Sequence, residues 1–178
     1  MLRKIRRVIT GHNKDGKSVI VSDEASPNTL TLLDNPACGL TDLWVTHATP
    51  ADNSSKGDAA SRKISLSPPA SGSIFRVVEF PPDMQLAQKF DRKAVFAAMG
   101  AHDAMDSSAD ARHPFMHKTN TVDYAIVLAG EIYAMMDIGE TKLSAGDCLI
   151  QRGTNHSWSN RSDKSCLVAF ILIDAQPI

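Results

Sequence analysis

No stretch of the 178-residue chain approaches the ~18–20 consecutive apolar residues that a membrane-spanning helix needs. The start is basic, with Arg3, Lys4, Arg6 and Arg7, but no apolar segment of the secretory-signal kind follows it. Surplus charge is missing too. Nineteen Lys and Arg stand against 20 Asp and Glu, and a formal charge of −1 argues against nucleic acid as the main partner. The basic cluster then reads as a solvated lead-in to a strand. Cysteine is scarce: Cys38, Cys148 and Cys166 form no CxxC pair, and their odd number leaves at least one thiol free. They read as buried small hydrophobes in a reducing compartment rather than as disulfides or a zinc site. The expectation is a soluble, cytoplasmic protein of one domain over residues 1–178, with no membrane partner.

What is present is mostly strand. "RRVITGH" (6–12) and "KSVIVSDE" (17–24) are β-branched runs around Asp15-Gly16, a pair suited to a hairpin turn. "LTDLWVTH" (40–47) and "SIFRVVEFPP" (73–82) read as further strands. The Ser-, Asp-, Pro- and Gly-rich stretch 49–72 between them reads as a mobile surface loop. One helix is predicted, about 91–105, with Asp91 as its N-cap and Val95, Phe96 and Met99 at helical spacing. Three stretches result: N-terminal strands over 1–90, the helix and lead-in over 91–116, and a β-meander over 117–174. Within the last, strands are expected near 122–129, 131–137, 141–144, 148–152, 156–160 and 166–174, which signals an all-β sandwich or barrel.

The segment "HKTNTVDYAIVLAGE" (117–131) carries the chemistry. His117, Thr119, Thr121 and Asp123 share one parity, so an extended chain points all four to one face, ahead of an apolar run that must be core. An ionised Asp on such a face must be paired, metal-bound or neutralised. A second segment, "GDCLIQRGTNHSWSN" (146–160), holds Gly146-Asp147 and then Gly153-x2-His156-x3-Asn160.

Together with Asp123-x6-Gly130-Glu131, this second segment resembles the two sequence motifs of the cupin superfamily. The resemblance covers about residues 113–174. It implies an all-β jelly-roll barrel, extended by the N-terminal strands, with a metal held in its mouth by two histidines, a carboxylate and a later histidine. Here the two early histidine positions fall on Met116 and Lys118, Asp123 stands for the usual Glu, and Arg152 stands where proline is usual. Only His156 maps cleanly, and His117 fits if the strand slips by one residue.

Two functional readings of the pocket follow, beside a third in which these residues only hydrogen-bond structurally. In one, His117, Asp123 and His156 hold a divalent Fe, Zn, Mn or Ni ion. In the other the pocket is metal-free, and Asp123 and His117 move protons as catalytic groups. Thr119, Thr121, Gln151 and Trp158 are the candidate substrate contacts, and no organic cofactor is expected. His113, before Pro114, reads as a surface-loop residue, with a supporting or lid position beside the pocket as the alternative. The resemblance implies a small-molecule lyase, decarboxylase, dehydratase, isomerase or oxygenase, acting on a small organic acid or an aromatic, polyketide-like compound. A non-catalytic ligand-binding cupin is the alternative. Tyr124, Ile126 and Leu128 make the second face of the Asp123 strand apolar as well, so a homodimer is expected to cover it.

Overall fold

The computed structural model describes residues 1–33, 35–54, 57–86, 91–108 and 110–177. Alternation of apolar and polar side chains sets the architecture. β1 (Arg6–His12) and β2 (Ser18–Ala25) close over Gly16, whose φ of 74° suits the turn. These two strands form a ladder of their own rather than extending a barrel sheet. The extension comes instead from β3 (Thr29–Leu32), β4 (Asn35–Thr46) and β5 (Ser73–Phe80). β3 was not expected; it is four residues long, and a strand so short carries little pattern of its own.

The meander supplies β6 (Thr121–Ala129), β7 (Glu131–Met136), β8 (Glu140–Ser144), β9 (Cys148–Arg152), β10 (His156–Ser159) and β11 (Cys166–Asp174). A six-stranded sheet runs β3-β4-β5-β11-β6-β9, and a three-stranded sheet runs β10-β7-β8. Their inner faces meet. Val45, Ile74, Val127, Val168 and Phe170 from the larger sheet pack against Ile132, Ala134, Leu143 and Trp158 from the smaller. Two facing antiparallel sheets joined in this way are the jelly-roll barrel. Gly130 turns the chain from one sheet to the other at φ 78°, where an added Cβ would lie 2.9 Å from the Ser165 carbonyl oxygen.

The helix is shorter than predicted. α1 spans Arg92–Ala98, and Asp91 caps it by accepting from the Ala94 backbone N–H. Gly100, at φ 62°, ends the helical path, so His102 and Met105 lie beyond it. Phe96 and Met99 pack with Leu40, Leu66 and Phe115 over one end of the barrel, leaving the outer sheet face to other cover. Within the 49–72 stretch, residues 57–66 are tied to the barrel. Asp58 takes a two-point bond from Arg7, Ala60 is fully buried in the core, and the Leu66 N–H donates to the Met99 carbonyl. Its polar residues serve as anchors, which composition alone reads as solvation. Cys38 and Cys166 are buried as expected, whereas Cys148 is exposed; all three thiols are free.

Candidate functional site

Strand parity builds the site. Along β6, Thr121, Asp123, Ala125 and Val127 are buried while Tyr124 and Leu128 face outward. The polar row seen in the sequence is therefore on the inner face. Below Thr121 the chain leaves the larger sheet. His117 pairs with His156 instead, each backbone N–H donating to the other's carbonyl at 2.9 Å. Directly opposed residues share a face, and the two imidazole centroids lie 4.3 Å apart. This crossing, rather than a bulge within β6, brings His117 to the motif histidine. Met116 is buried and Lys118 exposed.

A cavity lies between the sheets under α1. His117, Thr119, Asp123, His156 and Trp158 line it, among mostly apolar walls. Thr121 and Gln151 are buried but lie outside this lining. Thr121 shares a 2.7 Å hydroxyl bond with Thr119, and Gln151 turns its amide back to Thr154. Asn160, the last motif residue, organises a turn: its amide donates to the Phe80 and Lys164 carbonyls and its oxygen accepts from Ser162.

The hydrogen bonds fix both histidine tautomers. Nδ1 of His117 meets the Phe115 carbonyl at 2.8 Å, and Nδ1 of His156 meets the Thr154 carbonyl at 2.9 Å. A carbonyl only accepts, so each Nδ1 carries the proton and each Nε2 keeps a free lone pair. Burial holds the His117 pKa below its ordinary value, against the pull of the Phe115 carbonyl. Burial and the neighbouring His117 push His156 down to about 3. Both rings are neutral near pH 7. Asp123 moves the other way: burial raises its pKa to about 6, opposed by the Thr121 hydroxyl and the charge of Arg76. Its buried Oδ1 has no hydrogen-bond partner.

Two imidazole lone pairs and an orphaned carboxyl oxygen are the donor types a divalent metal takes. Their placement falls short of it. Among the described residues, no three His, Cys, Asp or Glu side chains come together as a metal-holding group. The triad of His117, Asp123 and His156 therefore divides into a histidine pair and a separate carboxyl group, and the residues present do not fit a three-ligand centre.

Sequence reasoning missed two features. His113 is not a free loop residue: it lines the cavity, and its Nδ1 lies 2.6 Å from the hydroxyl of the fully buried Ser157. Arg76 was hidden inside "SIFRVVEF". It is 2% exposed and lines the cavity from β5, paired with the fully buried Asp42 in register on β4. An odd charge at an inward position of an apolar strand was the available signal.

No protein-family model matches the chain. Curated relatives do. Phomopsin biosynthesis cluster protein C' of Diaporthe leptostromiformis is 29% identical over 99% of this chain and 82% of its own length. The cupin-domain-containing oxidoreductase srdD of Neurospora crassa is 28% identical over 99% of this chain and 79% of its own. Among solved structures, a Cupin 2 conserved barrel domain protein from Salinispora arenicola superposes with a TM-score of 0.41, at 13% identity, over 82% of each chain. With a jelly-roll barrel built around its own Gly-x2-His-x3-Asn turn, the chain is similar to cupin-domain proteins along nearly its whole length.

Proposed function

We propose that the protein is an enzyme that encloses a small organic molecule with a largely apolar body and moves a proton on it through Asp123. The observation that carries this reading is a buried carboxyl group with an unpartnered Oδ1, set in an apolar cavity and held at a pKa of about 6. A group titrating near the working pH is suited to both taking and giving a proton. The free Nε2 of His117 offers a second proton acceptor in the same cavity. Thr119 and Trp158 would orient the substrate, and Thr121 and Gln151 would support them from behind. Proton transfer at a carbon beside a carbonyl is common to these reactions, as removal in lyase, dehydratase and isomerase chemistry and as delivery to the carbanion after CO2 leaves in a decarboxylase, and the proposal covers that class.

The test follows deuterium exchange by NMR, in D2O, at an acidic C–H beside a carbonyl, with phenylpyruvate as the first probe. Exchange above the solvent rate is expected, and Asp123→Asn should lower it by roughly 10²-fold. Wild-type exchange no faster than solvent would refute the proton-transfer reading and leave the ligand-binding alternative. A second reading has its own support, since relatives matched over 99% of this chain are named oxidoreductases. Oxygen uptake or a two-electron product in the same incubation would favour it. The proton chemistry runs through the chain's own groups, so dialysis against a chelator should leave the Asp123-dependent exchange unchanged.

Two further parts of the proposal concern setting. A homodimer is supported by the row Phe75, Ile171, Tyr124 and Ile150, which lies in register across the outside of β5, β11, β6 and β9. Three of its members are 40–56% exposed. Three free thiols support a reducing, cytoplasmic location. No helix among the described residues is long and apolar enough to cross a membrane.

A further inference from the structure

We infer that Arg76 is the anchor for a carboxylate on the substrate, so that the cavity takes a carboxylic acid with an apolar body and presents the carbon near that carboxylate to Asp123. This rests on the proposed small-molecule site and names its substrate class.

The guanidinium is nearly buried and only partly used. Nε donates to Asp42 Oδ1 at 2.9 Å, and Nη2 donates to Asp42 Oδ2 at 3.2 Å and to the Ser65 carbonyl at 2.7 Å. Nη1 makes no hydrogen bond among the described residues, although Arg76 lines the cavity. Nη1 is not among the fully buried unpartnered atoms, so this arm of the guanidinium borders the open space of the cavity. A planar fork with one free arm suits a second carboxylate.

Charge at this end of the cavity points the same way. Arg62 acts electrostatically on both Asp42 and Arg76, and its own buried Nε has no partner. Two arginines face Asp42 here, and Asp123 is the other acid that acts on Arg76. Asp123 feels the charge of Arg76 but forms no ion pair with it. The sheet register explains the gap. Arg76 pairs with Phe170 on β11 and Phe170 with Ala125 on β6, so Asp123 sits two strands away and one inward position along. The space between the two groups has one free donor and one free carboxyl oxygen at its ends, with Phe170 and Leu172 as its floor. A carboxylate at Arg76 sets the atoms next to it toward Asp123.

Isothermal titration of the full chain with benzoate, benzamide and benzyl alcohol tests this. Benzoate should bind at least tenfold more tightly than benzamide, its neutral isostere. Asp42→Asn with Arg76→Gln keeps the pair neutral and hydrogen-bonded; it should abolish that preference while benzyl alcohol still binds. Arg62→Gln, at a partly exposed position, should weaken benzoate several-fold and spare benzyl alcohol, a readout available even if the double variant fails to fold. Equal binding of benzoate and benzamide, or a preference that survives loss of Arg76, would overturn the anchor while leaving the cavity as a binding site. If none of the three probes binds to folded protein, the small-molecule site itself is refuted and the anchor with it.

Discussion

Two residues of the site pull the pH dependence of stability in opposite directions. Asp123 has a folded pKa raised from 3.8 to about 6, so the fold binds its proton more tightly than the unfolded chain does. Its favourable contribution is complete in acid and is lost as pH rises through about 6, a change on the order of 3 kcal/mol. His156 is depressed from 6.5 to about 3, so stability falls as pH drops through that window, by an amount on the order of 5 kcal/mol. The histidine effect is larger, so the wild type should weaken toward acid. Asp123→Asn should melt higher than wild type at pH 8, and the advantage should vanish below pH 4; thermal melts at both pH values check this. The sequence already placed Asp123 on an inner face, because parity in a strand is local. It left the split between Asp123 and the histidines unseen, since that depends on where residue 117 leaves one sheet for the other.

At the scale of elements, turns and strands were the readable part. Asp15-Gly16, Gly130 and Gly153 each mark a real reversal, and ten of the eleven strands among the described residues follow from alternation and punctuation. The helix end was misjudged because apolar spacing continues past Gly100, where the backbone cannot. The ties of residues 57–66, Arg7 to Asp58 and Ser65 to Arg76, are not legible in composition because they join residues that are not neighbours in sequence. Asn160 illustrates an element held by one side chain. Its amide ties β10 to the Phe80 carbonyl at the end of β5 and closes the turn to Lys164. Asn160→Ala should cost on the order of 2–3 kcal/mol by leaving buried carbonyls unpaired, read as a lowered urea midpoint with an unchanged slope.

For the whole molecule, the outer sheet face is only partly covered from within. Ile5 packs against Leu43, Val77, Leu167 and Ala169 there, while Tyr124, Leu128, Ile150 and Phe75 stay exposed. Light scattering should therefore report twice the 19.3 kDa chain mass at micromolar concentration. Tyr124→Lys with Ile150→Lys should return the monomer without unfolding it, because both side chains point away from the core. A monomeric wild type would remove the dimer from the proposal.

The 57–66 loop has a mechanical consequence. One end is gripped by Arg7 of the N-terminal hairpin, and the other offers the Ser65 carbonyl to the guanidinium at the cavity wall. Lys63 is exposed between these two grips. Trypsin can cut after Lys63 only when the peptide lifts away, and lifting it withdraws the Ser65 carbonyl from Arg76. An acid seated on Arg76 would hold the guanidinium against that carbonyl, so nicking after Lys63 should slow as benzoate saturates and be indifferent to benzyl alcohol. Occupancy of the interior would then be legible in a protease ladder taken from the outside.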